Sequence, residues 1–436
     1  DGFDPSAGTP PPLDALLVEN PEEVQYFIPV PYRAKGDFKA YLDANPEIPR
    51  ARLEQMVIVR YPPSANIETA VAALRSDNFV RFAKVPIELE ITLPPNSSTR
   101  AGLAPPSIGG VATQYWIDAM QFTPAWAQAG GWAKIGVLDG GLYTSHPGLI
   151  SQNVNGSLTG GNFITVASAD VGRLGYINPI DFNVEELEPV PATPSTQLCD
   201  DGSGFLIADI AGHGTHVHGL LAANHTNADG TVGSCKNCGL ASIRVLREVC
   251  TSSGFVYPRM NPASPWFGLT LLADTGAQVV NMSFGGRSDG TFTYPDDFCI
   301  DPFYNNAAEC IAITYANSQG LLMVAASGNN RGKINFPASD PRVISVGGLD
   351  ESLNFWNEDT DPPPNHTDDC PYYNYPGVNP NQECGSNFTI NASSPIEAKQ
   401  DHAVPARRIL STLYPGMFWN DDILCDDAAL GTPGDG

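Results

Sequence analysis

The sequence predicts an α/β domain with a mostly parallel central sheet flanked by helices, preceded by a small α+β unit. Two observations lead there. Past residue 113, short apolar runs at 134–138, 239–246, 279–282 and 321–326 recur with helical stretches between them, the pattern of buried parallel strands. Ahead of them, residues 55–92 read as strand, helix and further strands, closed off by a stretch rich in Pro and Gly. The composition allows both. Of 436 residues, 42% are hydrophobic and only 16% are charged, enough to bury a large core.

The elements follow in order. Residues 1–20, rich in Pro and Asp, are a flexible leader. Residues 21–98 form the small unit. Within it, Gln55–Arg60 is a strand stopped by Pro62-Pro63. Ile67, Val71 and Leu74 fall at i, i+4 and i+7 of a helix that Asn66 can cap. Phe79–Ala83 and Ile87–Thr92 complete it as strands. Residues 99–112 are a linker, and 113–436 are the large domain. Both ends of the sequence read as cut: Asp1 is not a start residue, no leader precedes it, and Gly431–Gly436 close no element.

Composition also excludes some classes of function. A net charge of −25 repels phosphate backbones, which argues against nucleic-acid binding. No apolar run reaches the length of a membrane-crossing helix, so no membrane partner is expected. Nine cysteines fit an oxidising compartment, and the odd number leaves one without an internal partner. Cys299 with Cys310, and Cys370 with Cys384, each bracket one insertion. Cys235-Lys236-Asn237-Cys238 lacks a second close pair for zinc, so a disulfide is expected, local or to Cys199 or Cys250.

Four local signals stand at strand ends or helix starts, where α/β sheets bind ligands. Asp139 follows the strand 134–138. Gly212-His213-Gly214-Thr215-His216-Val217 opens a helix. Ser283-Phe284-Gly285-Gly286 follows the strand 279–282. Ala325-Ala326-Ser327-Gly328-Asn329 ends the strand that starts at 321. A histidine at a helix N-terminus is kept neutral by the dipole and can act as a general base. An aspartate at a neighbouring strand end can accept its other ring N–H and fix the tautomer. An asparagine beside small residues can aim its amide at a developing oxyanion.

These motifs, in this order, resemble the subtilisin-like serine proteases, the subtilase family. The resemblance implies that Asp139 orients His213, that His213 is the base, and that Asn329 holds the oxyanion. It implies a substrate edge built by Ser283, Phe284 and Gly285, with Ala326, Ser327 and Gly328 beside it. Gln114–Ala119 and Ala125-Trp126 resemble the start of a mature subtilase. Residues 55–92 resemble the inhibitory propeptide, acting in cis. The implied protein is a secreted, monomeric endopeptidase acting on protein or peptide substrates. It requires no cofactor; many of the family bind structural calcium, but the acidic stretches 181–201 and 357–369 show no ligand spacing and read by default as solvated loops.

Two departures stand out. The Gly-Thr-Ser motif that supplies the nucleophile is absent, although Val404-Pro405-Ala406 and Ile409–Thr412 resemble the segment before it, so the serine is expected beyond Gly436. His218 stands where the family has a small residue. Two other readings compete: a noncatalytic peptide-binding protein on the same fold, and a zinc hydrolase using His213 and His216, which share a helix face at i, i+3.

Overall fold

The computed structural model describes residues 17, 20–28, 32–85, 89–91, 107–108, 111–112, 114–128, 133–139, 168–170, 209–223, 225, 231–235, 238–250, 256–260, 263–286, 298–302, 304–329, 333–350, 352–356, 386, 401–406 and 411. The expected 1–20 leader, most of the linker, Cys199, Cys370, Cys384 and both acidic stretches lie outside them, apart from Leu17 and Asn20.

The N-terminal unit comprises β1 (Glu23–Tyr26), α1 (Gly36–Ala44), α2 (Pro49–Glu54), β2 (Val57–Arg60), α3 (Ile67–Ser76) and β3 (Leu89–Ile91). Strands β1 and β2 pair antiparallel, with Val24 opposite Val59. Asn66 caps α3 as expected, its side-chain oxygen accepting from the Thr69 N–H at 3.0 Å. No strand forms over Phe79–Ala83. Asp77 instead accepts from the Phe79 N–H at 2.8 Å, an Asx-type turn that diverts the chain. Strand β1 and helices α1 and α2 carry no strong periodicity and escaped the sequence reading.

A short hairpin follows, β4 (Ser107–Ile108) with β5 (Val111–Ala112), then α4 (Tyr115–Ala119) and α5 (Phe122–Gln128). The large domain continues with β6 (Lys134–Asp139), β7 (Ser168–Asp170), α6 (Asp209–Ala222), β8 (Gly239–Arg244), β9 (Leu246–Cys250), β10 (Val256–Met260), α7 (Ser264–Asp274), β11 (Val279–Met282), β12 (Phe284–Gly286), α8 (Ala308–Ser318), β13 (Leu322–Ala326), β14 (Val343–Leu349) and β15 (His402–Pro405).

Seven of these strands form one parallel sheet in the order β15-β14-β13-β11-β6-β8-β7. Strand β6 shows why the sheet is covered on both faces. Ile135 and Val137 pack with Leu240 against Val217 and Leu221 of α6. Leu138, one residue out of phase, joins Met282, Met323, Trp266 and Leu272 in the larger core beneath α7 and α8. Phe27, Ile28 and Leu53 of the N-terminal unit belong to that same core.

Disulfides link Cys299 to Cys310 and Cys235 to Cys238. The second closes locally, which settles the choice left open between a local bridge and one to Cys199 or Cys250. Its loop seals the end of α6, whose last-turn carbonyls need donors. Gly233 N–H donates to Ala223 O at 2.9 Å, Ser234 N–H to Leu220 O at 2.8 Å and Cys235 N–H to Leu221 O at 2.8 Å. A Cβ on Gly233 would lie 2.4 Å from the backbone nitrogens of Ala222 and Ala223. Gly233→Ala is therefore expected to cost about 1–3 kcal/mol. Thermal melting of the variant checks it, and an unchanged midpoint would mean that the loop does not press on the helix end.

Candidate active site

The sheet order reverses between β6 and β11, because the chain runs outward through β7 and β8 before crossing back. Crevices at such switch points, outside the carboxyl ends of the strands, are where open α/β sheets take ligands. Register places three expected residues there. Met282 lies opposite both Leu138 and Ala325, so the next row of the sheet holds Asp139, Ser283 and Ala326 side by side. Asn329 follows three positions later, past Ser327 and Gly328.

Asp139 ends β6 and is 2% exposed. His213, 4% exposed, approaches it from α6, and its Nδ1 lies 2.7 Å from Asp139 Oδ1. A carboxylate oxygen only accepts here, so Nδ1 carries the hydrogen and Nε2 is the acceptor nitrogen of the neutral ring. The pair is buried, short and charge-assisted. The structure brings these two residues together across 74 positions of sequence. The helix itself differs from expectation. It begins at Asp209, not at the His213 motif, so His213 lies in the second turn. The helix dipole acts within the first turn, so it does not supply the neutral ring that the sequence predicts.

Gly285 and Gly286 of β12 lie along β3, with Phe284 opposite Ile91 and Gly286 opposite Leu89. Below this edge, Phe284 packs edge-on against Trp266, which also contacts Phe336. Asn281 Nδ2 donates to Ser283 Oγ at 2.9 Å. On the neighbouring loop, Ser327 N–H donates to Val346 O at 2.8 Å, and its carbonyl accepts from the Asn335 N–H at 2.9 Å. Gly328 turns the chain with φ of 114°, a conformation that favours glycine, and delivers Asn329 at 9% exposure.

Two serines that support this edge were missed as supports. Ser386, 1% exposed, lies 3.2 Å from Ser327 Oγ and accepts from the Gly348 N–H at 2.8 Å. Ser411 Oγ donates to His216 O at 2.8 Å, on the helix of His213. Neither sits in a local motif. His218 is fully buried on that helix, and its Nδ1 lies 2.5 Å from Gly214 O. Burial pushes its pKa down, against smaller upward effects of the Gly214 carbonyl and the Asp139 charge. Among the described residues, no group of three or more His, Cys, Asp or Glu side chains could hold a metal ion. The acidic stretches read for calcium lie outside those residues.

A family model described as the subtilase family matches residues 130–413. A thermophilic serine proteinase of Bacillus sp. (strain AK1) is 26% identical over 289 residues, 66% of this chain and 53% of its own length. Thermitase of Thermoactinomyces vulgaris is 27% identical over 243 residues, 55% of this chain and 64% of its own. A halolysin-like extracellular serine protease of Natrialba magadii is 29% identical over 298 residues, 68% of this chain and 43% of its own. The chain thus spans less than two thirds of each relative's length.

Proposed function

The chain belongs to the subtilase family, and from that premise we propose that it is part of a serine-type endopeptidase acting by acyl transfer. The observation that carries the reading is the buried 2.7 Å bond between His213 Nδ1 and Asp139 Oδ1 at the topological switch point. It leaves Nε2 to take the proton of an attacking serine. The Asp139 carboxylate then stabilises the imidazolium that forms. Asn329, on the adjacent loop, is the oxyanion donor. Substrate peptides pair along Ser283–Gly285 on one side and Ala326–Gly328 on the other, by strand addition.

The N-terminal unit is an inhibitory segment in cis. Its β3 already pairs with β12, the edge assigned to substrate, and also contacts β10. Secretion, protein substrates and a monomeric state complete the proposal. The two disulfides support an oxidising compartment, and one relative is named as extracellular.

The serine is assigned to a Gly-Thr-Ser segment beyond Gly436, because none of the serines after Asn329 stands in that context. Of these, Ser386 and Ser411 are buried, Ser386 hydrogen-bonded with Ser327 and Gly348 and Ser411 with His216 O. A serine-directed phosphonate tests the assignment. It should leave residues 1–436 unlabelled and label the protein extended through its next motif, at one serine within that extension. Covalent labelling of 1–436 itself would move the nucleophile into the present sequence, and no labelling of either form would remove the peptidase reading.

A further inference from the structure

We propose that His218 is an acid-sensing positioning residue: neutral, its ring pins the turn that carries His213, and protonated at Nε2 it unseats that turn. The inference does not depend on the chain being a peptidase.

Local geometry supplies the first half. Gly212 and Gly214 flank His213, and a glycine inside a helix costs about 1 kcal/mol relative to alanine. This turn of α6 is intrinsically loose. Side chains on a helix lean toward its N-terminus, so residue 218 covers the turn before it. The His218 ring meets the Gly214 carbonyl there at 2.5 Å. A carbonyl only accepts, so Nδ1 carries the hydrogen. The extra bond holds the peptide next to His213.

The second half follows from the tautomer. With hydrogen on Nδ1, the neutral ring has a bare Nε2. That nitrogen is buried and has no hydrogen-bond partner among the described residues, in a side chain with no exposure to solvent. Protonation would place an N–H and a full charge where no described group accepts the hydrogen, which is costly in a buried site. The surrounding charges do not remove the cost. His213 and His216 share the helix. The helix packs on β6, β8 and β9, and of these β6 brings Lys134 and Asp139. Asp139 favours the charged ring, but one of its oxygens is already committed to His213.

The direction is fixed by linkage. In the folded protein the imidazole titrates below its unfolded value of about 6.5. Its contribution to stability is therefore complete above that pH and is lost as pH falls through it toward the folded value.

Denaturant unfolding of residues 1–436, from pH 8 to pH 5, tests this against His218→Gln and His218→Leu. Below pH 6.5 the folding constant of the parent should drop relative to either variant by about tenfold per pH unit, with the ratio level above pH 7.5. In parallel, NMR of the ring in the parent should show the Nδ1–H tautomer persisting below pH 6.5, a readout that stands if neither variant folds. A parent profile parallel to both variants, or a His218 ring titrating at the ordinary histidine value, would overturn the proposal.

Discussion

His213→Ala, made in the chain extended to its nucleophile, should lower kcat by about 10⁶, and Asp139→Asn by about 10⁴, magnitudes carried over from subtilisin itself. The two losses differ because the residues act at different points. Without His213 no group takes the serine proton. Asp139→Asn keeps the volume at a site only 2% exposed, but an amide there can offer an N–H to the ring. The imidazole would then present its bare nitrogen to residue 139 and its hydrogen to the serine, the wrong tautomer for a base. KM should move little in either variant, since neither side chain lies on the edge assigned to substrate. Single-turnover kinetics under saturating peptide is the measurement. An Asp139→Asn variant that kept a tenth of the parent rate would show that the 2.7 Å bond does not orient the base. Stability should be followed alongside, because a buried hydrogen-bonded carboxylate is being replaced.

The parts of this site that could be read from sequence were those encoded within a few residues. Asp139, His213, Ser283 and Asn329 each sit in a short run that ends a strand or lies in a helix. Their row across the sheet follows once β6, β11 and β13 are recognised as apolar runs. The start of α6 was misplaced because Gly212 and Gly214 look like a helix boundary, whereas tertiary packing carries the helix through them. Phe79–Ala83 looked like a strand by composition, and the Asp77 turn overrode it. What stayed hidden is long-range. Ser386 reaches Ser327 across 59 positions, Ser411 reaches His216 across 195, and Arg50 reaches Asp274 across 224. No local pattern marks a serine or arginine as the partner of a group that distant. His218 was visible as a departure from the family, but its bare Nε2 required the fold.

Truncating the cross-boundary ion pair Lys84–Glu309 should weaken the hold of the N-terminal unit on the large domain by about 2–5 kcal/mol, a loss of at least tenfold in inhibition constant. Glu309 lies in the first turn of α8 and is 2% exposed, and the Lys84 side chain facing it is 13% exposed. The Lys84 ammonium also sits 4.8 Å from the centre of the Phe298 ring, which adds a cation–π contact. A second anchor lies nearby. Arg50 bonds Glu54 at 2.7 Å within its own unit and Asp274 at 3.2 Å across the boundary. Asp274 also accepts from Tyr315 at 2.6 Å, and burial, then the Asp274 charge, push the Tyr315 phenol to a higher pKa. Arg50 is the poorer probe, since removing it also disrupts its own unit. Lys84→Met keeps the stem, and Glu309→Gln keeps the shape. A double-mutant cycle on inhibition by residues 21–98, with the folding of each segment checked by circular dichroism, isolates the pair. The coupling should exceed about 1.5 kcal/mol and survive added salt, because buried pairs are screened far less than exposed ones. The exposed Lys39–Asp43 pair, at 59% and 62%, is the internal contrast and should contribute almost nothing. A Lys84–Glu309 coupling below about 0.5 kcal/mol, the range expected of independent sites, would show that this pair does not anchor the unit to the large domain.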